Sequence, residues 1–343
     1  MLLTTDAVGG VWRYSLDLAA GMVQRPALAV LGPSPSSAQR DEAAGLGLRL
    51  IDTGLPLDWT ADDPAALAAV SAALRQLAAG QGVRSVHLHA PALAGAERWD
   101  IPVVAVAHSC VATWWRAVRT GPLPADLAWR ADVTRAGLRT ADAVIAPTDA
   151  HAEATRRAYG DIAITTVHNG ARPPLPLAGE GRAEAAILTA GRLWDEAKNA
   201  AALNDVAASV TAPIRAAGPT AGPNGASIGL PHLALLGTLD APAMRRAYAD
   251  ATVFASLARY EPFGLSVLEA AQAGLRLVLS DIPSFRELWD GAARFVAPGA
   301  DPRPALEASL AETGDARAHA ARYTVEKTVA GTLAVHRRLG AYV

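Results

Sequence analysis

At 343 residues the chain exceeds one ordinary domain and suggests two, each able to bury its own core. Half of its residues are hydrophobic and about a fifth are charged, and a formal charge of −2 excludes the strongly basic balance of a nucleic-acid binder. The single cysteine, Cys110, excludes an internal disulfide framework and a multi-cysteine zinc site, which fits a reducing compartment.

No run of about 18 apolar residues stands clear of charges and prolines, so no membrane-spanning helix is expected. Met1-Leu2-Leu3-Thr4-Thr5-Asp6 lacks the basic start of a signal peptide and reads as a first core strand, so a cytoplasmic protein is expected. Lys198 and Lys327 are the only lysines among 31 basic residues, which singles out each of them.

Strand and helix patterns then alternate. Leu2–Thr5 reads as a strand, Gly9-Gly10 breaks the chain, and Val11–Met22 carries helical spacing. Leu28–Leu31 and Leu48–Ile51 read as strands, and Pro64–Ala79 as a helix with proline in its first turn. Ser85–Ala90, Val103–Ala107, Ala143–Ala146 and Ile164–Val167 are further buried strands, with Thr148 placed to cap a helix. Asn169–Glu184, rich in Gly and Pro, reads as a linker between domains.

A second series follows: strand Ala186–Ala190, helix Asp195–Ala208, strand Ile214–Ala216 and a Gly/Pro loop over Pro219–Gly229. Strand Leu233–Leu236, helix Pro242–Asp250 and strand Thr252–Ala255 lead to Tyr260-Glu261-Pro262-Phe263-Gly264-Leu265 and a helix starting near Gly264. Leu275–Leu279, Phe285–Trp289, Arg294–Val296, Pro302–Glu312 and a last amphipathic helix, Thr324–Leu339, complete the chain. Two βα series predict an α/β protein of two doubly wound parallel-sheet domains, with ligands at the carboxyl ends of the strands.

Three strand-to-helix junctions could carry chemistry. At Asp6-Ala7-Val8-Gly9-Gly10, paired glycines let a backbone approach a ligand, although a plain connector reads the same way. The stretch has neither the G-x-G-x-x-G dinucleotide fingerprint nor a Walker loop, which counts against dehydrogenases and P-loop enzymes. Gly191-Arg192-Leu193 followed by Lys198 sets two cations by a helix start, a costly place unless an anion such as a diphosphate binds there. The alternative is that Lys198 pairs with Asp195 or Glu196. Glu261 and Glu269, with seven residues between them, flank a helix start that suits an anion. Acids beside an anion site describe a sugar phosphate better than a bare phosphate, although each acid alone could be a solvated surface group.

Together these stretches resemble the motifs of glycosyltransferase family 4, retaining enzymes with the GT-B fold. Glu261 through Glu269 resembles its two-glutamate motif, Gly191-Arg192-Leu193 with Lys198 its Gly-Arg-Leu and lysine element, and Gly9-Gly10 its N-terminal glycine loop. Val167-His168-Asn169-Gly170 is similar to its linker, usually Pro-Asn-Gly, and Ser280-Asp281-Ile282 with Glu287 to a further donor-domain loop. His168 departs from the pattern and is read as structural.

The resemblance implies an acceptor-binding domain over residues 1–170, joined by a C-terminal helix at about 324–343, and a donor-binding domain over 171–323, facing each other across a cleft. It implies that Arg192 and Lys198 neutralise the donor diphosphate without a metal or other cofactor. Glu269 would take the ribose hydroxyls and Glu261 those of the donor sugar. Phe263, Gly264, Leu265 and Gly191 would contribute donor contacts, and Gly10 with Gly9 would close from the other domain. In the family a histidine placed like His108 touches the donor sugar; the alternative is a strand-end histidine bonded to backbone. Cys110 reads as a buried small residue.

The implied reaction is retaining transfer from a UDP-, GDP- or ADP-sugar to a carbohydrate, lipid-linked or small-molecule acceptor. A nucleotide-sugar epimerase, a phosphorylase, for which Lys327 is badly placed as a pyridoxal lysine, and a non-catalytic binder are the alternatives. Trp114-Trp115-Arg116, Arg119 and Trp129-Arg130 read mainly as core packing, with an acceptor surface or a peripheral contact at the inner membrane face left open.

Overall fold

The computed structural model of the chain describes residues 1–173, 185–222 and 225–341. The linker reading therefore falls from residue 174 to 184 outside the described residues, as do residues 223–224 of the Gly/Pro loop and the last two of the C-terminal stretch. The chain divides into two compact units, Met1–Gly170 with Thr324–Val343, and Ala171–Tyr323.

The first unit holds a seven-stranded sheet of β1 (Leu2–Asp6), β2 (Ala27–Leu31), β3 (Arg49–Asp52), β4 (Val86–Leu88), β5 (Val103–Val106), β6 (Ala143–Ala146) and β7 (Ile164–Thr166). Its order is β3-β2-β1-β4-β5-β6-β7, and all pairs are parallel. β5 is covered on both faces and so reads as an unbroken apolar run; Val103, Val104 and Ala105 are wholly buried.

The second unit holds β8 (Ile187–Ala190), β9 (Ile214–Ala217), β10 (Ala234–Gly237), β11 (Val253–Ser256), β12 (Arg276–Ser280) and β13 (Ala293–Val296), in the order β10-β9-β8-β11-β12-β13. These pairs too are parallel. Phe254, Phe285 and Trp289 fill its core.

Periodicity misses three short helical segments, Ser37–Gly45, Pro91–Ala94 and Arg317–Ala320. The first is announced by a capping box, in which Ser36 and Gln39 exchange side-chain to backbone bonds, rather than by an apolar stripe.

The C-terminal helix, Val325–Arg338, belongs to the first unit. It packs so closely on the Gly10–Gly21 helix that a Cβ on Gly21 would stand 2.7 Å from Val329 Cγ2. Thr328 Oγ1 donates to the His168 carbonyl at 2.9 Å, which gives His168 a structural contact through its backbone. His336 Nε2 lies 3.2 Å from His87 Nδ1 on β4, and His87 Nε2 lies 3.4 Å from the Tyr14 hydroxyl.

Burial holds His87 well below the ordinary histidine range and brings His336 from 6.5 to about 4. Between those two values the unfolded chain binds a proton on His336 that the folded chain refuses. Stability is therefore complete above pH 6.5 and falls as the pH drops towards about 4, by about 1.4 kcal/mol per pH unit for this one group. Melting temperatures measured from pH 7 to 4 should show this slope, and His336→Gln should reduce it by about one proton.

Candidate active site

Strand order reverses between β8 and β11, which are neighbours in the second sheet. Open α/β sheets bind ligands outside the carboxyl ends of the strands at such a reversal. The loop after β8 carries Gly191, Arg192 and Lys198, and the loop after β11 carries Glu261. Hydrogen bonds join them: Ala197 O accepts from Arg259 N–H at 2.8 Å, and the Asn199 side-chain Nδ2 donates to Leu257 O at 2.9 Å.

The helix expected over Asp195–Ala208 is interrupted. Asn199 adopts a left-handed φ of 52°, unlike any other non-glycine residue among those described. It separates a 3₁₀ turn, Glu196–Lys198, from a helix over Ala200–Val206 and a second 3₁₀ turn over Ala207–Ser209. Lys198 ends the turn and directly precedes Asn199, the N-cap of the Ala200–Val206 helix, so it stands at a helix start as expected and is not held inside one continuous helix.

Nor does Lys198 pair within its own loop. Its Nζ lies 2.5 Å from Glu261 Oε2, the side chains being 23% and 14% exposed. Arg192 pairs with Asp195 at 3.0 Å and lies 5.7 Å over the Trp194 ring. The structure so brings Lys198 and Glu261 into contact from loops 63 residues apart.

Gly264, with φ 91°, begins the Leu265–Gln272 helix, and no side chain caps it. The first amides of that helix face outward at its positive end. A Cβ on Gly264 would stand 3.1 Å from Phe285 and 3.4 Å from the Glu261 side chain, so the turn is tight as well as left-handed. Phe263 is buried edge-on to Tyr323, with ring centres 5.9 Å apart, and Leu265 packs on the same core. Glu269, one turn inside, accepts from the Tyr248 hydroxyl at 3.0 Å. Ser284 Oγ donates to the Glu261 carbonyl, and Asp281 is held by Arg286.

In the first unit, Gly9 has φ 122° and starts the Gly10–Gly21 helix, again without a side-chain cap. Asp6 Oδ1 accepts from Val8 N–H at 2.8 Å and shapes this loop. His108 follows β5 and sits edge-on to Tyr14, with ring centres 4.5 Å apart. Its Nε2 is buried and meets no partner among the described residues. Burial brings its pKa down to about 3, so it is a neutral hydrogen-bonding group near pH 7.

Two sequence readings need correction. Cys110 is only half-buried, and its sulfur caps the Val111–Val118 helix, accepting from Thr113 N–H at 3.4 Å and from the Tyr159 hydroxyl at 3.0 Å. Core packing describes Trp129 but not Trp114 and Trp115, which are partly exposed because their short helix fully buries only Thr113. Arg119 lies 5.9 Å over the Trp114 ring. Sequence reasoning also passed over His87, His89, Asp58 and Tyr14. The alternation Val86-His87-Leu88-His89 in an otherwise apolar strand was the available signal. Among the described residues, no group of three or more His, Cys, Asp or Glu side chains could hold a metal ion.

The profile of Glycosyltransferase Family 4 matches residues 8–173, and that of Glycosyl transferases group 1 matches residues 184–312. The chain is a two-domain glycosyltransferase of family 4. No curated protein matches it by sequence.

Among solved structures, this glycosyltransferase is similar to sucrose-phosphate synthase from Thermosynechococcus elongatus (TM-score 0.76, 16% identity, 99% of each chain covered). It is also similar to HepE from Anabaena, solved in complex with UDP and glucose (TM-score 0.71, 16% identity, 98% of this chain and 100% of that one). A third is WaaG, a glycosyltransferase involved in lipopolysaccharide biosynthesis (TM-score 0.69, 13% identity, 98% and 99% covered). At these identities the likeness establishes the GT-B fold. No helix of the described residues is long and apolar enough to cross a membrane.

Proposed function

We propose that this glycosyltransferase moves a hexose from a nucleoside-diphosphate donor to its acceptor with retention of anomeric configuration and without a metal ion. The observation that carries this reading is the Lys198–Glu261 pair at the strand-order reversal of the second unit. Lys198 can exchange Glu261 for a diphosphate oxygen, which turns the Glu261 carboxylate towards the sugar hydroxyls. Arg192, on the partly exposed side of the same loop, supplies the second cation. Two positive charges aimed at the leaving group stabilise the charge that builds on it in the transition state, the task a divalent cation performs elsewhere.

Glu269, steadied by Tyr248, accepts the ribose hydroxyls, and the amides at Gly264 and Leu265 hold phosphate and sugar. On the retaining course the bond from the anomeric carbon to the phosphate oxygen breaks. The acceptor oxygen bonds to the same face, and its proton passes to the departing phosphate. A UDP-sugar is the preferred donor, since HepE, of the same fold, was solved with UDP and with UDP-glucose.

Ligand-observed NMR with UDP-, GDP- and ADP-glucose tests the donor. Saturation transfer is expected for the UDP-sugar, and displacement of its signal by free UDP. The anomeric proton coupling of the product should report an α-linkage from an α-donor; a β-linked product would overturn retention. Conversion of the donor to an epimer without an acceptor would instead identify an epimerase.

A further inference from the structure

The reversal that positions the donor loops in the second unit has a counterpart in the first. Counted outward from the reversal, both sheets begin 3-2-1-4-5-6, so β1 corresponds to β8 and β4 to β11. The Gly9-Gly10 loop after β1 then occupies the place of the Gly191 loop. The segment after β4 occupies the place of the loop that carries Glu261, and its first residue is His89.

His89 is only 5% exposed. Its amide and its Nδ1 both lie within hydrogen-bond distance of Thr4 Oγ1 (2.9 and 2.8 Å), which fixes the ring. Its Nε2 is buried and, among the described residues, has no hydrogen-bond partner. On the adjacent strand end, His108 Nε2 is in the same condition, and the two imidazoles lie within electrostatic reach of each other. A buried polar atom without a partner has given up its bond to water and gained none in return. Two of them at neighbouring strand ends mark a place where a ligand restores the missing bonds.

The surroundings define that ligand. Asp6 ends β1, and Asp58, in the connection after β3, lies within the fields of His89 and Asp6. Arg130 directs its guanidinium to the carbonyls of Asp58 and Ala61 at 2.8 and 2.7 Å. Neither carboxyl attracts an anion, burial raises the pKa of Asp58 towards its neutral form, and the Arg130 guanidinium is committed within the protein. A hydroxyl suits the place, because it can donate to a carboxylate or imidazole nitrogen and accept from an imidazole N–H.

We propose that His89 determines acceptor specificity in this enzyme, its Nε2 holding a hydroxyl of a neutral, polyhydroxylated acceptor beside Asp6, Asp58 and His108. The acceptor bound there carries no phosphate. This rests on the glycosyl-transfer reading of the chain.

The test uses two variants that separate the ring's two nitrogens. His89→Asn retains a hydrogen-bonding group near the Nδ1 position, and with it the contact to Thr4, but removes Nε2. His89→Gln reaches towards the Nε2 position. UDP affinity, measured by calorimetry, should be equal in wild type and both variants; failure of the wild type to bind UDP, GDP or ADP would count against the donor reading and not against this one. With the full-length enzyme saturated with UDP, saturation-transfer NMR is recorded with glucose, mannose and myo-inositol, and with glucose 6-phosphate. A neutral polyol should bind the wild type, bind at least tenfold more weakly to His89→Asn, and recover part of that loss in His89→Gln. Glucose 6-phosphate should bind no better than glucose. Equal binding by His89→Asn, preference for the phosphate, or no binding of any of the three polyols would overturn the proposal.

Discussion

Lys198→Ala is expected to lower the turnover number of sugar transfer by about 10²–10³-fold, the loss typical of removing one group that stabilises developing negative charge. The lysine has two jobs at one place. It holds Glu261 at 2.5 Å, and on the proposed reading it meets the leaving diphosphate when a donor binds. Glu261→Gln should also impair transfer, and the two changes combined should cost less than the sum of their separate effects. Residues that act as a pair are coupled, and a double-mutant cycle measures that coupling directly. Folding should survive, because both side chains keep some access to water. A circular-dichroism melt should therefore move by only a few degrees. Turnover of Lys198→Ala within threefold of wild type would refute the assignment.

Gly218→Ala is expected to damage the same site from behind, with no change to any residue that touches a ligand. Gly218 has φ 136°, a conformation that costs about 1–3 kcal/mol for a residue with a side chain. A Cβ there would overlap the carbonyl oxygen of Gly191, so the backbone that presents Arg192 has to move. That backbone is otherwise fixed by the bond from Gly191 N–H to Ala217 O at 3.0 Å. The variant should bind UDP at least tenfold more weakly and melt several degrees lower. Gly229→Ala is the control: a Cβ there meets nothing within 4 Å, and its φ lies outside the left-handed range. Calorimetric titration with UDP and a thermal melt of both variants would check this. Equal affinity in Gly218→Ala and wild type would show that the Gly191 loop does not depend on this close approach.

Much of the architecture was legible in the order of residues. Parallel strands buried on both faces are mostly apolar, so Val103–Val106 and Val253–Ser256 could be recognised as strands without any neighbour being known. A tight turn before an uncapped helix requires a residue at home with positive φ, so Gly9 and Gly264 marked their junctions. The candidate residues of the second unit were legible for the same reason: they lie in short stretches whose residue types have few other uses.

Tertiary structure decided the rest. Asn199 breaks its helix because its side chain reaches Leu257 O on another loop, and helical spacing around residue 199 carries no trace of that partner. Lys198 selects Glu261 over the nearer Asp195 and Glu196 because β8 and β11 are neighbours in the sheet, an adjacency that a sequence separation of 63 conceals. His89 is the sharpest case. In sequence it is the second of two histidines that alternate with apolar residues, and nothing there sets it apart from His87. Only strand order places it at the reversal, and only packing leaves Nε2 buried with its hydrogen bond still to make. The sequence by itself determined most of the strands, helices and glycine turns, because those choices depend largely on local sterics and burial. Which charges meet, and which polar atoms remain for a ligand, depended on distances that exist only once the sheets have formed.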